Sequence, residues 1–456
     1  MLHRSRFAHY YQRGKDVCVF HSLSGKVIFG GGKLLDLLLS FPGAKDGPGD
    51  ASAIYTATSD IALDLKAKGL LVADESGDEA LLNDLGRRHQ EELDLPIWQM
   101  YLLTTVRCNL ACSYCYIDAS YRLPEMTLEI AEQAVRYFNR HSQGESKPRI
   151  VFYGGEPLLN KRAVFAAASE ARRLESSRVS GGRFNLLLIT NGYSLDRAVA
   201  EGLKRLDINV SVSIDGPRFI HNGYRRTRGG QPSFVRVTRA VELLRDIGIE
   251  PAASVTITPK ALKQWDEVTE FLSDTLQFKR IDFNVLLPGP MQSNEYDAED
   301  IHIGAALLRA HECFRRKGIH EDRVMRRVRA FTKRKFRFTD CPGVGQQIAV
   351  APDGTVGPCQ GLQGSKQYFP LDVERDFDRS PTDHPLFGEW ANRTTLNTPK
   401  CRACPAIAVC GGGCPLAAIR DGGSMWEVDR RVCEYVKAIH EWLIWELHDK
   451  NLAIDA

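Results

Sequence analysis

MYLLTTVRCNLACSYC, residues 100–115, decides how the rest of the chain is read. Its first part, Met100 to Val106, is an apolar run of strand length. Cys108, Cys112 and Cys115 then follow on a short loop. Three thiolates placed this way can hold three irons of a [4Fe–4S] cube and leave the fourth open to an outside ligand. Closed zinc sites generally take four Cys or His ligands, so three cysteines at a strand end suit zinc poorly.

Working downstream, strand-sized runs recur at residues 149–155 (RIVFYGG), 184–192 (FNLLLITNG), 208–216 (INVSVSIDG), 252–258 (AASVTIT) and 281–287 (IDFNVLL). Helical patterns such as LEIAEQAVRYFNRH (128–141) and VRVTRAVELLRDIG (235–248) lie between them. That alternation implies an α/β fold with a parallel sheet. Six βα units favour an open or partial (β/α)6 barrel over a closed one of eight strands. Ligands are expected at the C-terminal ends of the strands. There sit Gly154-Gly155-Glu156-Pro157, Thr190-Asn191-Gly192, Ser213-Ile214-Asp215-Gly216 and the segment HNGYRRTRG (221–229). Alone, TNG or IDG is ordinary turn chemistry. Their order after successive strands is what gives them weight.

Seven cysteines lie between Cys341 and Cys433, where Gly and Pro are frequent and long periodic segments are few. The spacing is Cys341-x12-Gly354-x4-Cys359, then Cys401-x2-Cys404-x5-Cys410-x3-Cys414, then Cys433. A region that cannot build its own core usually needs metal to fold. CxxC pairs fit a zinc ribbon. Seven cysteines, however, do not divide into closed sets of four, and a CGGGCP knuckle lets N–H groups approach cluster sulfurs. Spacing alone favours iron–sulfur and leaves zinc open.

From about Trp98 to Cys433, these motifs resemble the radical S-adenosylmethionine (SAM) superfamily in its form with a C-terminal SPASM extension. The shared signature is C-x3-C-x-aromatic-C, with Tyr114 in the aromatic position, followed by GGEP. The resemblance implies that SAM caps the open iron and yields a 5′-deoxyadenosyl radical on reduction. It implies SAM contacts at Tyr114, Gly154, Gly155, Glu156, Asn191, Ser213 and Asp215, with Arg225 and Arg226 both candidates for the SAM carboxylate. It also implies two auxiliary [4Fe–4S] clusters, three clusters in all. Cys341, Cys359 and Cys414 would bind the first, and Cys401, Cys404, Cys410 and Cys433 the second. Some relatives have a further cysteine near the first of these, where KFRFTD (335–340) supplies none. The first auxiliary cluster is then expected to keep an open iron or to borrow Cys18, Cys313 or Asp340. The resemblance names no catalytic acid or base.

Upstream, VCVFHSLSGKVIF (17–29) reads as a hairpin around a Ser-Gly turn, GGGKLLDLLLSF as a helix after it, and 74–95 as a charged linker helix. A small winged-helix-like domain is expected, of the kind that captures a precursor-peptide leader by β-augmentation. The expected domains are 1–96 for peptide recognition, 97–290 for the radical SAM core, 291–340 for a helical bridge and 341–456 for the SPASM module with a C-terminal helix. In that helix Trp442 and Trp445 read as packing residues. The basic run Arg323 to Arg337 reads as a solvated helix face or a docking strip for an acidic peptide.

A net charge of +3 over 456 residues argues against a nucleic-acid surface and so against RNA modification. No signal peptide or membrane-spanning run is evident, so a cytoplasmic enzyme is expected. Twelve cysteines in a reducing compartment read as metal ligands rather than a disulfide framework. The expected function is a maturase that abstracts hydrogen from a precursor peptide and forms a thioether, C–C or C–O cross-link, with a flavodoxin or ferredoxin as electron donor. The alternatives are a formylglycine-generating sulfatase-type maturase and, from another class, a non-catalytic zinc-binding adaptor.

Overall fold

The computed structural model describes residues 2–43, 60–94, 96–117, 123–145, 147–178, 182–287 and 302–454. The first part of the expected bridge, 291–301, therefore lies outside the described residues.

The N-terminal unit comprises strands β1 (His3–Arg4), β2 (Ala8–Arg13), β3 (Asp16–His21) and β4 (Val27–Gly30), helices α1 (Gly32–Ser40) and α2 (Asp60–Ala67), strand β5 (Leu71–Val72) and helix α3 (Ser76–Leu93). β3 and β4 pair antiparallel from Val17↔Gly30 to Phe20↔Val27. Gly25 turns the chain between them at φ +67°, where a side chain would be strained. β2 adds a third strand along β3, although its AHYYQR run is too polar to announce itself. Val17, Val19, Leu34, Leu37, Leu65 and Leu71 make a small core of their own. The charged segment read as a linker does more than connect. Leu85 and His89 of α3 are buried against the C-terminal half, and the His89 ring pairs with the Ala391 carbonyl at 3.0 Å.

The central sheet is built from β6 (Gln99–Thr105), β7 (Arg149–Gly154), β8 (Asn185–Thr190), β9 (Ile208–Ser213), β10 (Ala252–Ile257) and β11 (Arg280–Val285). These six are parallel and adjacent in chain order. The helices after them include α4 (Leu128–His141), α5 (Lys161–Leu174), α6 (Arg197–Arg205), α7 (Arg218–Tyr224), α8 (Phe234–Asp246), α9 (Pro259–Lys263) and α10 (Trp265–Glu270). α4 shows why they form. Thr127 caps it by accepting from the Ile130 N–H, and Ala131, Ala134, Val135 and Phe138 recur at helical spacing on its buried face.

Among the described residues, four outer strands, not announced in the sequence, widen the sheet to ten. After α11 (Ile303–Arg316), the two-residue β12 (His320–Glu321) joins β11. After α12 (Asp322–Thr332), β13 (Gln347–Val350) runs parallel to β6, and β14 (Thr355–Gly357) and β15 (Leu371–Asp372) continue antiparallel. The cysteine-rich half is thus continuous with the core sheet. Helices α13 (Pro385–Ala391), α14 (Ile407–Cys410), α15 (Pro415–Gly422) and α16 (Arg430–Ile454) complete it. Along α16, Trp442 stands edge-on to His311 at 5.6 Å, and Ile444 and Trp445 pack on Cys18 and Phe20 of the N-terminal sheet. Both tryptophans are packing residues.

The basic run is only partly a solvated face: Arg329, Lys333, Arg334 and Lys335 are exposed, whereas Arg323, Arg326, Arg327 and Arg337 turn inward. Asp340 is buried and accepts from Arg327 at 2.7 Å, Arg337 at 3.2 Å and Arg326 at 3.3 Å, with Arg323 at 4.0 Å. Burial alone would raise this carboxyl. The guanidiniums, Arg327 foremost, overcome that and hold it far below the usual carboxylate range. Arg327 is fully buried, so its removal leaves an under-compensated buried carboxylate. Arg327→Met is expected to cost about 3–5 kcal/mol. The readout is a lower thermal midpoint than wild type, with Arg327→Lys recovering only part of the loss because it cannot reproduce the planar fork.

Candidate functional site

The three-cysteine loop leaves β6 and is fixed from outside by the segment after α7. Ala111 N–H donates to the Arg226 carbonyl at 2.7 Å and Ser113 N–H to the Tyr224 carbonyl at 3.2 Å. Leu110 bridges Thr227, and the Arg228 guanidinium donates to the Cys108 carbonyl at 2.8 Å. Within the loop, Leu110 N–H and the Asn191 amide approach the Cys108 sulfur at 3.4 and 3.6 Å. Such N–H contacts are a means by which proteins tune cluster sulfurs. Cys115 is exposed and the other two thiols are partly covered. Burial raises Cys108 to about 11 and Cys112 to about 12, so iron binding would release protons here.

The end of β7 explains the glycines. A Cβ on Gly154 would lie 2.3 Å from the Thr105 carbonyl oxygen, and one on Gly155 2.2 Å from that of Arg107. The two glycines therefore let the end of β7 press against the root of the cysteine loop. The glycines thus serve a backbone contact in addition to the ligand approach expected of them. Glu156 follows and is buried. Its carboxylate accepts from Leu158 N–H at 3.0 Å, the Thr190 hydroxyl at 2.7 Å and Asn191 N–H at 2.7 Å. Burial raises its pKa, and these donors offset part of that rise. Asn191 in turn donates to the Asn109 side chain at 2.8 Å. Ser213 ends β9 beside Ser254 of β10 and is half-buried.

Tyr114, Asp215 and Arg225 lie together. The Arg225 guanidinium grips Asp215 at 2.9 and 3.1 Å and sits over the Tyr114 ring at 5.3 Å. The Tyr114 hydroxyl donates to Asp215 at 2.5 Å, and Thr256 N–H at 3.0 Å. Burial would raise Asp215, but Arg225 keeps it below the usual value. Arg225 is thus committed inside the protein, whereas Arg226 is turned to the Gly230 carbonyl at 3.0 Å.

The seven later cysteines fall into two neighbourhoods. Burial raises Cys359, and the nearby thiols Cys414 and Cys341 raise it further. Burial raises Cys401 to about 11, with Cys433 and Cys404 adding to it, and Cys410 also feels Cys433. Gly411, Gly412 and Gly413 are all left-handed, at φ +79°, +81° and +73°. A Cβ on Gly411 would meet Asp340 N at 2.5 Å, so the knuckle packs against the root of Cys341. Arg393, which nothing in the sequence singled out, is buried and donates to the Gly412 carbonyl at 2.8 Å and the Glu427 carbonyl at 3.1 Å, as well as to that of Met425. Asp429, also missed, accepts from Cys414 N–H at 3.2 Å. Cys18 and Cys313 pack into separate hydrophobic clusters.

Among the described residues, no three Cys, His, Asp or Glu side chains converge on a point that one metal ion would fill. A cubane holds its thiolates wider apart than a single ion does. The three thiols at the strand end, with N–H donors at sulfur, fit such a cluster.

Residues 102–272 match the model of the radical SAM superfamily. They form a radical SAM domain. Members of this superfamily use a [4Fe–4S] cluster and SAM. The chain is similar to the serine-type anaerobic sulfatase-maturating enzyme of Bacteroides thetaiotaomicron, 30% identical over 34% of this chain and 38% of that one. The chain spans 38%, 63% and 43% of the first three curated relatives it matches. Among solved structures, anSMEcpe with bound AdoMet and the Cp18Cys peptide is 20% identical, with a TM-score of 0.62 over 78% of this chain and 99% of that one. Streptococcus suis SuiB bound to its precursor peptide SuiA is 15% identical, with a TM-score of 0.53 over 95% and 100%. At these identities the two structures show a shared fold. No described helix is long and apolar enough to cross a membrane.

Gly155→Ala forces a methyl into the Arg107 carbonyl. The reconstituted protein with this change is expected to hold about four fewer irons per chain. Iron analysis and loss of SAM binding by equilibrium dialysis provide the check.

Proposed function

We propose that this chain is a radical SAM maturase that modifies a ribosomally made precursor peptide and joins two of its side chains by a thioether, C–C or C–O bond. The observation that carries this reading is the three-thiol loop at the mouth of a parallel sheet, within a fold shared over 95% of the chain with a precursor-peptide complex. A reduced [4Fe–4S] cluster with SAM would supply the chemistry here, a 5′-deoxyadenosyl radical. Cys108, Cys112 and Cys115 would hold that cluster. Gly154, Gly155, Glu156, Asn191 and Ser213 would shape the SAM site, Glu156 and Asn191 by fixing the ends of β7 and β8 against the loop. Tyr114, Asp215, Arg225 and Arg226 would hold the loop and the segment after α7 in register.

The later cysteines would hold two auxiliary clusters, three in the first set and four in the second. A cross-link formed after hydrogen abstraction releases one electron and one proton, and the auxiliary clusters would take the electron. Asp340 is already held by guanidiniums, and Cys18 and Cys313 are packed elsewhere. This supports an open iron in the first auxiliary cluster that can accept a substrate thiolate. Residues 1–96 would bind the peptide leader on an edge of the β2–β4 sheet. A flavodoxin or ferredoxin would supply electrons in the cytoplasm.

A second reading, formylglycine formation, is favoured by the 30% identity to the sulfatase maturase. Incubating reduced protein and SAM with a candidate precursor peptide, should a short peptide gene lie beside its own, separates the two. A cross-link lowers the peptide mass by about 2 Da and leaves no free carbonyl, whereas formylglycine reacts with a hydrazide. The Cys112→Ala variant is expected to give no product and no 5′-deoxyadenosine.

A further inference from the structure

A cavity of about 420 Å³ opens inside the curve of the sheet, at the ends of the strands away from the cysteine loop. Its floor is set by strand starts: Arg149 begins β7, Asn185 begins β8 and Arg280 begins β11. Higher up, Ile189, Ser211 and Ser254 line it one or two residues before Thr190, Ser213 and Thr256. The wall reaches the radical site through Tyr101, whose ring stands edge-on to Tyr153 at 5.6 Å. The Tyr153 hydroxyl bonds that of Tyr116 at 2.9 Å, and burial raises its pKa to about 12. The volume falls within the range of pockets that enclose small ligands.

The charges in the cavity are unevenly matched. Arg280 faces Asp282 at 3.3 Å, Arg326 bonds Asp322 at 2.5 Å, and Glu250 is held by Arg245 at 2.9 Å. Arg323 spends its donors on the Phe283 carbonyl at 2.8 Å and stands near Asp340. Two lining cations, the exposed Lys279 and the half-buried Arg149, have no ion pair among the described residues, and Arg149 is the more enclosed. Its guanidinium lies over Trp98 at 5.7 Å, and among the described residues no carboxylate comes within ion-pair reach of it. Burial, then the neighbouring Arg280, pull it below its usual value, and Tyr101, Asp282 and Asp322 offset only part of that. A half-buried guanidinium with no carboxylate in direct contact, its nearest ones Asp282 and Asp322 already paired with Arg280 and Arg326, keeps its donors free for a further anion.

We propose that this cavity receives an acidic side chain of the substrate peptide, with Arg149 as its counter-ion and Asn185 and Asn209 as flanking polar contacts. This rests on the peptide-maturase reading and adds a substrate class to it: a peptide with Glu or Asp set about a strand's length, roughly six extended residues, from the residue that is modified. Arg149 is a specificity residue here and touches none of the reacting atoms. Pairing of a planar carboxylate with a planar guanidinium also predicts that Lys serves less well than Arg.

The test uses anaerobic, cluster-loaded full-length protein and titration calorimetry with two blocked tripeptides, acetyl-Ala-Glu-Ala-amide and acetyl-Ala-Gln-Ala-amide. Neither SAM nor reductant is present, so the result is independent of whether the protein turns over. The acidic probe is expected to bind at least tenfold more tightly than its neutral isostere. Arg149→Gln should abolish that preference, and Arg149→Lys should retain part of it, with thermal melting run on both variants. Equal affinity of the two probes for the wild-type protein overturns the proposal without reference to any variant. So does an undiminished preference in Arg149→Gln. A failed cross-linking assay beside a positive titration would instead count against the maturase reading and leave the anion site in place.

Discussion

Everything at the candidate site depends on how closely two neighbouring strand ends approach. Gly154 and Gly155 allow the end of β7 to lie against Thr105 and Arg107, and no residue with a Cβ fits there. That contact sets where Glu156 is buried and, through it, where Thr190 and Asn191 stand. Asn191 then reaches the Cys108 sulfur. A loop that must present three thiols to one cluster cannot be slack, since each misplaced sulfur loses a metal bond. Here its backbone is tied on one side to β7 and on the other to Tyr224, Arg226 and Arg228.

A second rigid element does for the later cysteines what the glycines do for the first three. Asp340 and its guanidiniums sit immediately before Cys341, and Asp340 N–H donates to the Gly411 carbonyl at 2.7 Å. One buried carboxylate thus ties α12, the root of Cys341 and the glycine knuckle together. Breaking it would leave charge in a place water cannot reach, which is why such a group holds its surroundings in a single arrangement. Arg393 works in the same way on the far side of the knuckle. Both elements belong to the cysteine-rich half, where long apolar segments are scarce and buried charge takes over the task of fixing the chain.

Much of this was legible in the sequence because period and spacing are local signals. The strands β6 to β11 stand out as apolar runs, and the loop from Cys108 to Cys115 as a spacing of cysteines. The hairpin at 17–29 declares itself by its Ser-Gly turn. What stayed hidden depends on contacts far apart in the chain. β12 and β15 have two residues each, too few for any alternation to show. α3 looked like a spacer because its composition is charged, yet Leu85 and His89 decide its place. The run Arg323 to Arg337 looked like surface because arginine usually is. Only the fold reveals that one aspartate gathers four of its members. Arg393 gave no signal at all.

The central claim is that the Cys108–Cys115 loop carries a cluster with one iron open to SAM. Electron paramagnetic resonance of the dithionite-reduced protein, before and after SAM is added, tests it directly. If the claim holds, one reduced-cluster signal shifts its g-values on addition of SAM while the others keep theirs. A set of spectra that SAM leaves unchanged would contradict it.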